Sequence, residues 1–168
     1  MEMVFYPDQR LRQVCERVDI FDERLQQVAV KMIDMMHRRR GIGLAAPQVG
    51  LLVRLIVVCP SGVAGEEYVL VNPEVAPFTR TDVYEEGCLS LPGVFAEVER
   101  SSSIFCRAQN IFGKRIEFEA DGLLARVIQH ETDHLNGILF IDRITPEQMK
   151  KIEKQLRQLE SKYGSGQT

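Results

Sequence analysis

The chain has 168 residues, 45% of them hydrophobic, and 21 Lys and Arg set against 24 Asp and Glu for a formal charge of -3. That length suits one buried core over residues 1–168 and is too short for two independent domains, and the balanced charge excludes a global electrostatic footprint for nucleic acid. Cys15, Cys59, Cys88 and Cys106 lie far apart without CxxC spacing, which excludes a zinc ribbon or a dense disulfide framework and fits a reducing, cytoplasmic setting.

The opening MEMVFYPDQR has no basic segment followed by an apolar run. No stretch approaches the roughly 20 apolar residues of a membrane helix, so no membrane contact is expected. From Asp22, a candidate N-cap, Leu25, Val28, Ala29, Met32, Ile33 and Met36 recur at three- and four-residue spacing, which predicts an amphipathic helix. His37, Arg38, Arg39 and Arg40 suit the negative end of its dipole, and Gly41 suits a left-handed cap. The glycines of GIGLAAPQVG, 41–50, form no GxGxxG or GK[ST] pattern, so a nucleotide loop is not indicated.

Between Val53 and Glu119 the texture changes to short β-branched runs, VRLIVVC, YVLVNPEV, SSSIFCRAQN and RIEFEA, read as mostly antiparallel strands. SGVAGEE (61–67) and NIFGKR (110–115) have the composition of hairpin loops. Asp121 is a candidate cap for a second helix reaching about Leu135 and closed by Asn136 or Gly137. A third helix is expected over 145–163, where Thr145, Pro146 and Gln148 fit the cap, first-turn proline and capping-box positions. Its stripe is Met149, Ile152, Leu156, Leu159 and Tyr163, and Glu153 with Arg157 is a four-residue ion pair. Residues 164–168 are expected to be a flexible tail. The fold class this predicts is α+β: mostly antiparallel strands around a central helix, with a helix towards each end of the chain.

The second helix carries IQHETDHLNG, 128–137, with two of the chain's three histidines. Residues four apart on a helix are offset by only about 40° around the axis, so His130 and His134 share a face and can share an ion. Glu131 flanks that face, where a carboxylate can take a proton from water on the ion without being a ligand. Leu123 and Val127 continue the stripe as an apolar wall. A solvated face with incidental histidines and a structural zinc site are the bland alternatives, and the second leaves Glu131 without a role.

A catalytic centre of this kind needs a third protein ligand. YEEGCLSLPG, 84–93, offers Cys88, for which a buried small hydrophobe is the alternative reading. Gln48 is a candidate amide donor to an oxyanion, and equally a candidate for holding its own loop.

GIGLAAPQ, EGCLS and QHETDH, in this order and approximate spacing, resemble the peptide deformylases. The resemblance runs from YPDQRLR near the start to the end of the histidine helix and omits 59–67 and the C-terminal tail. It implies that Cys88, His130 and His134 hold one divalent metal, Fe2+ natively, with Zn2+, Ni2+ or Co2+ able to substitute, and that Glu131 is the general base. It implies that Gln48 and the Leu89 N–H stabilise the oxyanion, and that Ile42, Gly43, Leu123 and Val127 form the methionine pocket. The peptide would lie extended along Ile42, Gly43 and Gly87. The implied reaction removes the N-formyl group from formyl-methionyl nascent peptides and releases formate. Asp133 is expected in a structural ion pair with Arg100.

A zinc metallopeptidase shares HExxH, but Ile138, Leu139 and Phe140 stand where the metzincin continuation would need another histidine. A metal-stabilised binding module docking through its last helix is the non-catalytic alternative. The polar face of that helix, Lys150, Lys151, Lys154, Arg157 and Lys162, is either a transient ribosome contact or a solvated face. No sequence-specific nucleic-acid binding is expected.

Overall fold

Leu55–Val58 (β2) is four apolar residues with no polar alternation, a pattern that requires cover on both faces. In the computed structural model, which describes residues 1–164, both covers are helices. Leu55 and Val57 pack with Leu25, Met32 and Met36 of α1 (Glu23–Arg38), while Ile56 and Val58 pack in a second cluster with Ile128 and Leu135 of α2 (Gly122–Leu135). The class is α+β, as expected.

The sheet has five antiparallel strands in the order β1 (Gly43–Ala45), β2, β3 (Tyr68–Pro77), β6 (Ser103–Gln109) and β7 (Arg115–Asp121). Ile56 stands opposite Leu70 and Cys106 opposite Phe118, so the loops at 61–67 and 110–115 are hairpin connections, as their composition predicts. Two strands lie apart as a hairpin, β4 (Thr81–Cys88) and β5 (Leu91–Ser101). The second of these was not anticipated, although its alternation is strict: Val94, Ala96, Val98 and Arg100 are buried while Phe95, Glu97 and Glu99 are exposed. Its inner face packs against Ile152, Leu156 and Leu159 of α3 (Pro146–Tyr163). Among the described residues no helix is long and apolar enough to cross a membrane.

The helix ends follow the sequence with three corrections. Asp22 caps α1 through Leu25 N–H at 3.0 Å, but Arg40 (φ 57°), not Gly41, takes the left-handed position after it. Asp121 occupies the N-cap position of α2 without a side-chain hydrogen bond. Thr145 accepts from Gln148 N–H, whereas the Gln148 side chain turns away to Glu97, so the reciprocal half of a capping box is not made. Glu153 and Arg157 pair at 2.7 Å. Of the tail expected at 164–168, Gly164 donates to the Glu160 carbonyl at the end of α3, and 165–168 lie outside the described residues.

Asn72 interrupts β3 in the left-handed region (φ 52°), where the register with β6 shifts. Its Oδ1 accepts from Val18 N–H and its Nδ2 donates to Val18 O, both at 2.8 Å, which fastens the segment before α1 to the sheet. Asn72→Ala strands a buried donor and acceptor and removes the residue type that tolerates this backbone. We expect a loss of about 3 kcal/mol in urea unfolding, with secondary structure by circular dichroism unchanged.

Candidate active site

Glu86 and Cys88, two apart on β4, project to one side of the hairpin. The register with β5 shifts between Gly87 and Cys88. Across from them, the four-residue spacing on α2 sets His130 and His134 on a common face. The three donor atoms of Cys88, His130 and His134 all lie within 4.8 Å of one another, with the thiol sulfur 3.3 Å from His134 Nε2.

Glu86 positions this group. Its carboxylate meets His130 Nδ1 at 2.9 Å, which leaves Nε2 of that ring for whatever the three side chains share. The same carboxylate accepts from Arg100 Nε at 2.7 Å and Nη2 at 3.0 Å and from Arg126 Nη1 at 2.8 Å. Arg100 also reaches Asp133 Oδ2 at 2.8 Å, the ion pair expected from the sequence, and Arg143 grips both oxygens of Asp133, Oδ2 at 2.5 Å and Oδ1 at 2.6 Å. The buried charges thus form a chain of alternating sign. Burial alone would raise the Glu86 carboxyl, but hydrogen bonds from His130 and Arg100 hold it down at about 2. Burial disfavours a charged His130, yet its bonds with Cys88 and Glu86 push it up to about 10, while burial and the neighbouring His130 hold His134 well below its ordinary value.

Glu131 is 4% exposed, and burial raises its carboxyl to about 7. Its Oε2 has no hydrogen-bond partner. A buried carboxylate oxygen without a partner is costly unless a proton-bearing group is delivered to it. Together with one thiolate and two imidazoles, the donor set of open three-ligand centres, this fits a divalent transition metal with water beside Glu131.

Gln48 makes the loop-holding bond with one end and turns the other towards the cleft. Its Oε1 accepts from Ala45 N–H at 2.8 Å, holding the loop, and this aims Nε2 at Cys88 Sγ (3.3 Å) and Ser90 Oγ (3.2 Å). A cleft of about 710 Å³ opens onto these groups. Ile42, Gly43, Gln48, Gly87, Cys88, Leu89, Leu123, Val127, His130 and Glu131 all line it, and His134 lies behind them at 1% exposure. Leu123 is half exposed, so the apolar wall thins towards the mouth. Gly43 sits where an added Cβ would come within 2.3 Å of Glu131 Oε1 and 2.7 Å of Val127.

Sequence patterns do not mark Glu86, Arg126, Phe5 and Phe95, which line the cleft, or Ser90 beneath Gln48, and they give Arg39 and Arg40 only a place at the end of the first helix. Glu86 is accessible only through its in-phase position two residues before Cys88. No local pattern marks the others.

The fold and site define a class, an α+β protein whose HExxH helix faces a cysteine on a neighbouring hairpin across an open cleft. A family model for polypeptide deformylase matches residues 1–150. Peptide deformylase 1B of Arabidopsis thaliana, chloroplastic/mitochondrial, is 46% identical over 166 residues, 97% of this chain and 61% of that protein. The Chromobacterium violaceum peptide deformylase is 43% identical over 160 residues, 95% of this chain and 96% of that one. A Plasmodium falciparum peptide deformylase structure superposes with a TM-score of 0.96 at 37% identity, covering 99% of each chain. The chain belongs to the polypeptide deformylase family, which is metal-dependent, and the metallopeptidase reading falls away. It spans about three fifths of the length of the plant relatives it matches.

Removing Glu86 leaves the Arg100 and Arg126 guanidiniums buried without their shared counter-charge. Glu86→Ala is expected to lower stability by about 3–5 kcal/mol, read from urea unfolding of the metal-free protein, whereas a surface control such as Glu153→Ala should change it by less than about 0.5 kcal/mol.

Proposed function

We propose that the chain, acting as a single domain over 1–168, hydrolyses the N-formyl group of formyl-methionyl nascent polypeptides to formate and a free amino terminus. The observation that carries this reading is the unpartnered Glu131 oxygen, buried at the base of the cleft beside the Cys88, His130 and His134 donors.

A divalent ion held by Cys88, His130 and His134 would supply Lewis acidity that lowers the pKa of water towards neutrality. Glu131 would take the proton of the attacking water and return it to the departing amine, a double duty open to a buried carboxyl that is not itself a ligand. Gln48 Nε2 and the Leu89 N–H donate to the oxyanion, each such donor contributing about 3 kcal/mol. Ile42, Gly43, Leu123 and Val127 take the methionine side chain.

β1 is the edge of the five-stranded sheet, so an extended peptide can add as a strand along Ile42 and Gly43 with Gly87 on its other side. Main-chain pairing reads little sequence beyond the first side chain. Fe2+ is the proposed native ion, and the soft thiolate with two imidazoles also accepts Zn2+, Ni2+ or Co2+. We place the protein in the cytoplasm, in keeping with four free cysteines.

Formate release from formyl-Met-Ala-Ser by anaerobically purified protein tests the reading directly. The parent should release formate, and Glu131→Ala should do so roughly 100- to 10,000-fold more slowly while keeping its metal. No release by a fully Fe2+- or Ni2+-loaded parent would overturn the assignment.

Transient ribosome contact through α3 is the remaining proposal. Lys150, Lys151, Lys154, Arg157 and Lys162 are exposed, but deleting the helix is a poor test because Ile152, Leu156 and Leu159 close a core cluster. Lys150→Glu combined with Lys154→Glu leaves that stripe intact. It should reduce co-sedimentation with ribosomes in low salt, and unchanged co-sedimentation would remove the idea.

A further inference from the structure

Deformylation makes no use of His37, Cys59 or Glu67, yet these three come together from separate elements. His37 lies in the last turn of α1, Cys59 directly follows β2, and Glu67 directly precedes β3. Their donor atoms all lie within 4.8 Å of one another. His37 Nε2 is 2.5 Å from Glu67 Oε1, and both Glu67 oxygens also accept from Gly65 N–H at 3.1 and 3.0 Å, which turns the carboxylate inward. The Cys59 side chain is buried, with its thiol directed at Val63 O (3.3 Å) and near Ser61 Oγ (3.7 Å).

We infer that His37, Cys59 and Glu67 form a second site for a divalent transition metal, Zn2+ or Co2+, distinct from the centre at Cys88. One thiolate, one imidazole and one carboxylate is a donor set for borderline-soft four-coordinate ions and a poor one for Mg2+ or Ca2+, which favour oxygen throughout. Donor atoms around such an ion stand roughly 3.3–3.6 Å apart, so binding replaces the His37–Glu67 hydrogen bond and moves these side chains by about an ångström. The Cys59 proton leaves to solvent, the thiolate and carboxylate balance the charge of the ion, and water completes its coordination. Gly62 and Gly65 sit at positive φ (67° and 97°) with nothing within 4 Å of where a Cβ would be, so the loop has room to follow.

The site would bear on the cleft. Cys59 N–H donates to Ile42 O at 2.7 Å, and the turn after His37 leads into Arg39, Arg40 and Gly41, which line the cleft. An ion here ties the 59–67 loop to the segment that the peptide is proposed to pair with.

Two measurements on the full chain test this. After equilibrium dialysis against Zn2+, the parent should hold two ions per chain, and His37→Gln, altered at a partly exposed side chain, should hold one. In Cys88→Ser, Co2+ should still produce a thiolate-to-cobalt charge-transfer band, which disappears in Cys88→Ser/Cys59→Ser. One zinc ion in the parent, a second ion retained in His37→Gln, or no such band in Cys88→Ser would each overturn the inference. None of these readouts depends on deformylase activity, and the band in Cys88→Ser reports on this site without the centre at Cys88.

Discussion

The Glu86 carboxylate, buried between two guanidiniums and a histidine ring, is the constraint on which the site depends. It belongs to the β4–β5 hairpin, whereas Arg126 and His130 belong to α2, so satisfying its charge binds the hairpin to the helix. Cys88, two residues further along β4, is carried to the histidines by the same attachment. Buried ions are expensive unless every charge is answered. Within this network each carboxylate is answered, Glu86 by Arg100 and Arg126 and Asp133 by Arg100 and Arg143, while Glu131 beside it is not. Replacing such a network with apolar side chains could preserve stability, but no apolar contact would fix the His130 ring with Nδ1 engaged and Nε2 presented. The network serves the geometry of the site first.

The helix cannot be displaced from the other side either. Val127 and Glu131 lie so close to β1 that only glycine fits at Gly43, and Ala125 and Ile128 are wholly buried against the sheet. α2 is therefore held between a sheet it packs on by dispersion and a hairpin it grips by charge. The cleft is the gap these two attachments leave. Its apolar side descends from the sheet and the upstream turns of α2, and its polar base from the charged network. Gln48 belongs to the same logic, since one end of its amide holds the loop and thereby orients the other.

Much of this was legible before any coordinates. Asp22, Thr145 and the stripes of α1 and α3 announce helices through capping and 3.6-residue periodicity, and the Glu153–Arg157 pair follows from the helix repeat alone. His130 and His134 share a face for the same reason. β5 was missed because LPGVFAEVERS opens with Pro and Gly and ends in charges, which masked the alternation of Val94, Ala96 and Val98. Glycine is the usual occupant of a left-handed position, which points to Gly41, but the chain turns one residue earlier at Arg40. Gln148 has the position of a capping-box residue in its own helix, but Glu97 on β5 takes its side chain.

The sequence by itself determined what is encoded within a few residues: the helices, most strands, the HExxH face and, through three separated motifs, the family. These depend on local backbone preference and side-chain periodicity, which neighbouring residues suffice to set. Only the tertiary structure decided that Glu86 answers Arg100, Arg126 and His130 together, that Gly43 lies against Glu131, and that His37, Cys59 and Glu67 converge. Those contacts join residues far apart in the chain, and their geometry exists only when the burial of apolar faces has set the sheet, the hairpin and α2 in one arrangement.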